Sequence, residues 1–285
     1  MSAKNGNAFP KGNGGFTNTR DVRAVPECPN LHWMFYHAYF DTLLTDRSVK
    51  AELMNQKVVK FDFSGGYSAY IEKYQALFSD SLCLKSTYPG LLTGLGNPFG
   101  VSLKGKDIPD LTGSIQMGFS LDYVTGLPYI PGSSIKGILR SAFYFGEYGA
   151  YVAMVLKEFY PDLPDQFPVK KLESAMFGEA DEEGDDVFFD AFPQVENSKN
   201  MLALDNITPH KSITENPIPL TMLRVRSEVP FVFGFRLKDT TVDGVTITRE
   251  VKAKLFERIF TELGVGAKTN VGYGRMQRVP DSSKK

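Results

Sequence analysis

Cysteine is scarce: the 285 residues hold two, Cys28 and Cys83, far apart and with no CxxC spacing. That excludes a disulfide framework and a cysteine-rich structural zinc, and it suits a reducing compartment. Histidine is nearly as rare, at three. His32 and His37 fall in the aromatic run NLHWMFYHAYF and read as packing or surface residues, not as an acid–base pair. His210 sits beside Lys211 in a proline-bounded loop and is the one tempting general base. The longest apolar run, near Tyr148 to Leu156, is too short to span a bilayer, and the N-terminal MSAKNGNAFPKGNGG lacks an apolar signal core. A soluble, cytoplasmic chain is expected. No internal repeat is visible. Neither sign of charge dominates: the formal net charge is −1, so no global basic field advertises a polyanion.

What is present is enough for a core, with 42% hydrophobic, 13% aromatic and 23% charged residues. The charges are unevenly placed. Leu172 to Glu196 carries nine acids and no Lys or Arg, whereas Ile207 to Lys285 carries fourteen Lys plus Arg against eight Asp plus Glu, a net of +6. A basic face is therefore compatible with a neutral average. The acidic run Asp181 to Asp186 lacks the spacing of a calcium loop and is expected to be solvated; no metal or cofactor is expected.

Periodicity organises the chain. Residues 1–25 read as a flexible arm, Leu31 to Leu44 as a helix, and runs such as SIQMGFSLDY between Thr93 and Tyr129 as strands. In GLPYIPGSSIKGILRS, Ser133 is placed to cap a helix whose apolar face is Ile135, Ile138, Leu139 and Ala142. A second helix is expected from Tyr148 to Phe159, followed by an acidic loop. VFFDAF, TMLRVRSEVP and FVFGFRLK have strand composition, and Val251 to Leu263 forms an amphipathic helix that stops at Gly264. YGRMQRV is a last strand. LDNITPHKSITENPIP holds three prolines and cannot be a regular central strand. From position 115 the order reads β-α-(insert)-β-β-β-α-β, an α+β class close to a split βαβ.

Two stretches offer anion chemistry. LGVGAKTNVGYG packs four glycines into eleven residues around Lys268. It is no dinucleotide fingerprint, because Thr269 stands where a third glycine belongs, and no Walker loop, because Ala267 precedes the lysine. It follows a helix C-terminus, whose dipole repels anions, so an anion would have to be met by backbone N–H groups and Lys268. A glycine turn that merely packs the helix on the sheet explains the spacing equally well. PGSSIKG presents Gly132, Ser133, Ser134 and Lys136 at a helix start, with Arg140 one turn on from Lys136. Taken alone, an ordinary serine cap with a surface lysine is the better reading of it. The pair of stretches favours one phosphate-binding groove.

Together LLTGLGNPFG, GLPYIPGSSIKGILRS and GVGAKTNVGYGRM resemble the RAMP superfamily of CRISPR RNA-binding proteins, whose signature is a Gly-hydrophobic-Gly, five residues, Gly-hydrophobic-Gly loop after the last helix. NLHWMFYHAYF, DVFFDAFP, LDNITPHK and NPIPLTMLRV narrow the resemblance to the sixth RAMP subunit of type III-B (Cmr) effector complexes. The likeness runs from about residue 30 to 278. It implies a single domain over 26–280 with a short tail at 281–285. That domain would hold a ferredoxin-like (RRM-like) βαββαβ core with helical insertions and a protruding hairpin, the thumb, at about 200–220. It implies a non-catalytic subunit that holds the 3′ part of the guide (CRISPR) RNA, meets the complementary target RNA, and closes a filament beside other Cmr subunits, above all the neighbouring backbone RAMP subunit. The RNA-binding residues it implies are Ser133, Ser134, Lys136, Arg140, His210, Lys211, Gly264, Gly266, Lys268, Thr269, Asn270, Gly272 and Gly274. The cleaving aspartate of the backbone subunit has no counterpart here, and the sheet lacks the paired aromatics of a true RRM. A metal-independent, guide-processing ribonuclease using His210 is the alternative within the superfamily. An interaction protein whose basic face meets protein acids is the alternative outside it.

Overall fold

Phe231, Phe233 and Phe235 alternate along PFVFGFR and are all fully buried, as the two-residue period of a strand requires. Their shared face meets a helix: Phe233 packs on Phe260 with ring centroids 4.8 Å apart, and Phe235 packs on Phe256 at 5.3 Å. This strand is the centre of the molecule in a computed structural model that describes residues 30–46, 48–64, 67–96, 111–194, 200–208 and 219–279. The N-terminal arm, the tail, the tip of the expected thumb, His210 and Lys211 lie outside the described residues.

In chain order, helix α1 runs through Leu31–Trp33, a π-helical turn Met34–Ala38, and Tyr39–Thr45. Helices α2 (Ala51–Val59) and α3 (Ser68–Gln75) follow, then strand β1 (Asp80–Ser86). After a long excursion come α4 (Gly132–Ser141), α5 (Ala150–Phe159) and α6 (Val169–Phe177). A small hairpin, β2 (Gly178–Glu179) and β3 (Glu182–Glu183), leads to an interrupted strand, β4 (Val187–Phe188) and β5 (Phe192–Pro193). A separate hairpin, β6 (Leu202–Ile207) and β7 (Leu220–Val225), precedes the central strand β8 (Pro230–Arg236). The chain ends in hairpin β9 (Thr240–Val242) and β10 (Val245–Ile247), helix α7 (Arg249–Leu263) and strand β11 (Met276–Arg278).

The main sheet has the order β11–β1–β8–β4, with β5 also on β8 and every pair antiparallel. With α4 between β1 and β4, and α7 between β8 and β11, the connectivity is that of a βαββαβ unit. The expected α+β core is present, but its first strand is DSLCLKS, not the stretch after residue 115. SIQMGFSLDY forms isolated bridges at Ile115 and Leu121 instead of a strand. Side chains of α1 occupy its backbone: the Tyr39 hydroxyl accepts from Ile115 N–H (2.9 Å) and the Tyr36 hydroxyl from Phe119 N–H (3.1 Å). The expected acidic loop is also corrected, since it contains α6 and the β2–β3 hairpin.

The other face of the sheet is closed where β8 carries Gly234. A Cβ there would stand 2.3 Å from the Phe78 ring, so the aromatic lies directly on the backbone. Tyr74 packs edge-on against Phe78, and Phe78 against Phe189. At its N-terminus α7 is capped by Thr248, whose hydroxyl accepts from Val251 N–H (3.4 Å). Its Lys252 is fully buried and pairs with both oxygens of Asp186 at 2.9 and 2.7 Å; the Lys238 N–H adds a third bond to that carboxylate.

Candidate nucleic-acid interface

The glycine loop is zipped to the chain that follows β1. Val265 N–H donates to Gly274 O (2.8 Å), Gly274 N–H to Gly90 O (2.7 Å), and Ala267 N–H to Leu92 O (2.9 Å). These contacts explain three of the four glycines. A Cβ would stand 3.0 Å from Gly274 O at Gly264, 2.3 Å from Leu92 O at Gly266, and 1.8 Å from Val265 O at Gly274, and all three have positive φ. Gly272 differs: its φ is +101°, yet the nearest atom to a Cβ is Pro89 Cδ at 3.7 Å.

Between the two zipped ends the loop turns outward. Lys268 has left-handed backbone (φ +59°) and opens a short 3-10 turn, Thr269–Val271, with Asn270 and Val271 exposed. Beneath the loop, the buried Tyr273 packs with Leu92 and Met222, joined by Ile207, Met117 and Ala267. The base of the β6–β7 hairpin thus rests on the glycine loop. β7 also bridges Leu91 through Val225 and runs parallel to Ile115 through Thr221.

A polar cluster fixes this junction. The Tyr273 hydroxyl donates to Asp205 Oδ2 (2.6 Å); burial first, then the Asp205 carboxylate, push the phenol up to about 12. Arg224 Nε lies 3.3 Å from the same oxygen without the alignment of a hydrogen bond, and its Nη1 donates to Pro89 O (2.7 Å). Around the rim, Lys268, Arg226 and Arg275 make no ion pair with another described residue. Sequence reasoning missed Tyr88, Arg224, Arg226 and Arg275. The signals were Arg275 directly after the last glycine, and Tyr88-Pro89-Gly90 as a turn.

The other candidate stretch is placed elsewhere. The start of α4 packs against β4, whereas the glycine loop precedes β11 and leans on the segment after β1, so the two meet opposite edge strands of the sheet. They do not form the single groove that their sequences favoured. Nor does Ser133 cap the helix: Pro131 occupies the cap, with no side-chain cap bond. The Gly132 N–H donates to Asp190 Oδ1 at 2.6 Å, so a carboxylate from the acidic stretch already occupies the anion position. Ser133 and Ser134 are exposed, and Lys136 is half-buried. With Gly132 and Ser133, Lys136 lines a groove of about 580 Å³ whose other wall includes Glu179, Asp181, Glu182 and Glu183. Arg140 is engaged: its Nε donates to Glu173 Oε1 (2.7 Å), a buried carboxylate that also accepts from the Tyr144 and Tyr148 hydroxyls. Burial alone would raise Glu173, but the bonds from Tyr148, Arg140 and Tyr144 outweigh it and hold the carboxyl below its ordinary value.

The sequence profile of the RAMP superfamily matches residues 83–277, from β1 to β11. The chain belongs to the RAMP superfamily. It is 29% identical over 206 residues to the CRISPR system Cmr subunit Cmr6 of Pyrococcus furiosus, an alignment that covers 53% of this chain and 58% of that relative. It spans, then, little more than half the length of the curated relative it matches. Among solved structures, a chain of the type III-B Cmr-beta complex bound to cognate target RNA superposes with a TM-score of 0.49 at 22% identity, covering 85% of this chain and 78% of that one. The crystal structure of Cmr6 from Pyrococcus furiosus gives 0.43 at 22% identity, over 70% of this chain and 97% of that one. In this RAMP protein the superfamily loop is largely a packing device, and three of its four glycines are committed to backbone contacts.

Proposed function

We propose that this chain is a non-catalytic, guide-RNA-binding subunit of a type III-B (Cmr) ribonucleoprotein, holding the 3′ part of the guide and closing the backbone filament beside a second RAMP subunit. The observation that carries the reading is the glycine loop, where a zipped base turns Lys268 outward and where Arg226, just after β7, and Arg275, just before β11, make no ion pair with another described residue. Membership of the superfamily and the likeness to Cmr6 support it. Such a site grips the phosphate backbone and leaves base reading to pairing with the guide. The natively tagged protein is expected to purify with nucleic acid, seen in the A260/A280 ratio, and with other Cmr subunits. Purification free of RNA and of RAMP partners overturns the reading. The isolated chain is expected to leave repeat-derived and target RNA intact, with and without Mg²⁺. Cleavage that disappears in His210→Ala assigns it to guide processing instead.

A further inference from the structure

Beside the glycine loop stands an aromatic ring with no assigned task. Tyr88 is 84% exposed, more than any other large apolar or aromatic residue described. Single exposed aromatics are common on protein surfaces, so exposure alone means nothing. What sets Tyr88 apart is its support. On one side Thr87 N–H donates to Arg275 O (2.8 Å); on the other, Pro89 O accepts from Arg224 Nη1 (2.7 Å) and Gly90 O from Gly274 N–H (2.7 Å). The backbone under the ring is thus tied to β11's approach at Thr87, to β7 at Pro89 and to the glycine loop at Gly90. Two of the other exposed tyrosines are engaged, Tyr123 edge-on against His32 and Tyr144 through a bond to Glu173, while Tyr88 has no ring partner among the described residues.

The segments bonded to the chain around it carry cations, and the acid among them, Glu228, whose N–H donates to Ser86 O (2.8 Å), is ion-paired with Lys85. Arg275 is bonded through its carbonyl to Thr87, Arg226 accepts through its carbonyl from Ser86 Oγ (3.3 Å), and Pro89 lies under Gly272, four residues from Lys268. A ring fixed at its root, 84% exposed and near segments whose cations make no ion pair with another described residue is an arrangement suited to holding single-stranded nucleic acid by stacking and charge together. A tyrosine also loses little entropy on contact, having two side-chain torsions to fix.

We propose that Tyr88 is a stacking platform for one unpaired nucleobase of bound RNA, with Lys268, Arg226 and Arg275 holding the phosphates on either side. This rests on the RNA-binding reading above and adds to it a base contact outside the glycine loop and outside the hairpin.

The test uses the full chain and a short single-stranded RNA carrying 2-aminopurine at successive positions, whose fluorescence is quenched on stacking. The wild type is expected to quench one position strongly. Tyr88→Phe should behave as the wild type, and Tyr88→Ala should lose the quenching and bind at least about fivefold more weakly. The salt slope should stay unchanged in Tyr88→Ala, since no charge is removed, whereas Lys268→Ala should lower the slope and keep the quenching. Wild-type affinity and quenching in Tyr88→Ala overturn the platform and leave the RNA-binding reading standing. Failure of the wild type to bind RNA at any salt overturns both. Should Tyr88→Ala melt below the wild type, photocrosslinking of wild-type protein to 4-thiouridine RNA decides: a crosslink within residues 87–90 supports the platform, and one confined to other segments overturns it.

Discussion

At the start of α4 the protein supplies its own anion; at the glycine loop it does not. Both stretches combine glycine, hydroxyls and lysine. Around α4 the Asp190 carboxylate takes the Gly132 N–H, Glu173 takes Arg140, and the β2–β3 acids face Lys136 across a groove. Around the glycine loop Asp205 is held by Tyr273 and Arg224, and Glu228 by Lys85, while Lys268, Arg226 and Arg275 make no ion pair among the described residues. The same residue types therefore make a structural joint in one place and an open basic surface in the other. What separates them is where the folded chain brings its carboxylates.

The glycines give the largest test of this contrast. Gly274→Ala and Gly266→Val force a Cβ to within 1.8 and 2.3 Å of carbonyl oxygens that belong to the loop's own closure. Each is expected to cost more than about 4 kcal/mol and to abolish a cooperative thermal melt. Gly272→Val meets no clash, its nearest neighbour being Pro89 Cδ at 3.7 Å, and bears chiefly backbone strain, on the order of 1–3 kcal/mol. It should stay folded while losing RNA affinity. A Gly266→Val protein that melts like the wild type would show that the zipper is not what those glycines are for.

Next in size is the buried pair beneath the acidic segment. Burial raises Asp186 and lowers Lys252, in each case against the pull of the partner, so the charges are tolerated and are not a source of stability. Lys252→Met leaves a carboxylate stranded and is expected to cost about 3–5 kcal/mol in denaturant unfolding. Combining it with Asp186→Leu should recover most of that loss. If the double variant is as unstable as the single, the pair is worth more than the desolvation argument allows.

How far the sequence spoke depended on whether local pattern and final partner coincided. Helix α7, strand β8 and the last strand follow their periodicities because each buries one face against the other. The hairpin was legible as a prolyl interruption, and β6 and β7 do pair outside the main sheet. DSLCLKS was passed over because Asp80, Ser81 and Lys85 dilute its apolar face, yet it is the strand between β8 and β11. SIQMGFSLDY alternates well, but tyrosine hydroxyls from α1 take the backbone groups a strand partner would use. At the site, Lys268 and the glycines were legible. Asp190, about 60 residues from the N–H it holds, was not, because nothing local marks a carboxylate as another helix's cap. Nor could Tyr88 be found, since its role comes from three segments joined only in the fold.

A pH experiment sharpens the same contrast at smaller amplitude. Glu173 has a folded value depressed below its ordinary 4.5, so its contribution is fully present above about that pH and is lost as pH falls through the depressed value. Glu173→Gln should cost roughly 1–3 kcal/mol at pH 7, from three donors left with a weaker acceptor, and should flatten the acid limb of the stability curve. An acid limb identical to the wild type's would mean that Glu173 does not titrate differently on folding.

The smallest effects come from the two lysines that looked alike in sequence. Lys268 stands at an open rim, and its removal should lower the dependence of log affinity on log salt by about one unit, alike for all RNA sequences. Lys136 faces Glu179, Asp181, Glu182 and Glu183 across its groove, and a phosphate approaching it must also approach those acids. Its removal should therefore change the slope by well under one unit. The converse variant is more telling: neutralising the hairpin with Glu182→Gln and Glu183→Gln should strengthen RNA binding if Lys136 touches phosphate at all, and should do nothing if the α4 start is only a joint. Equal slopes for Lys268→Ala and Lys136→Ala, measured by titration at several salt concentrations, would erase the distinction between the two regions and return both stretches to one binding surface.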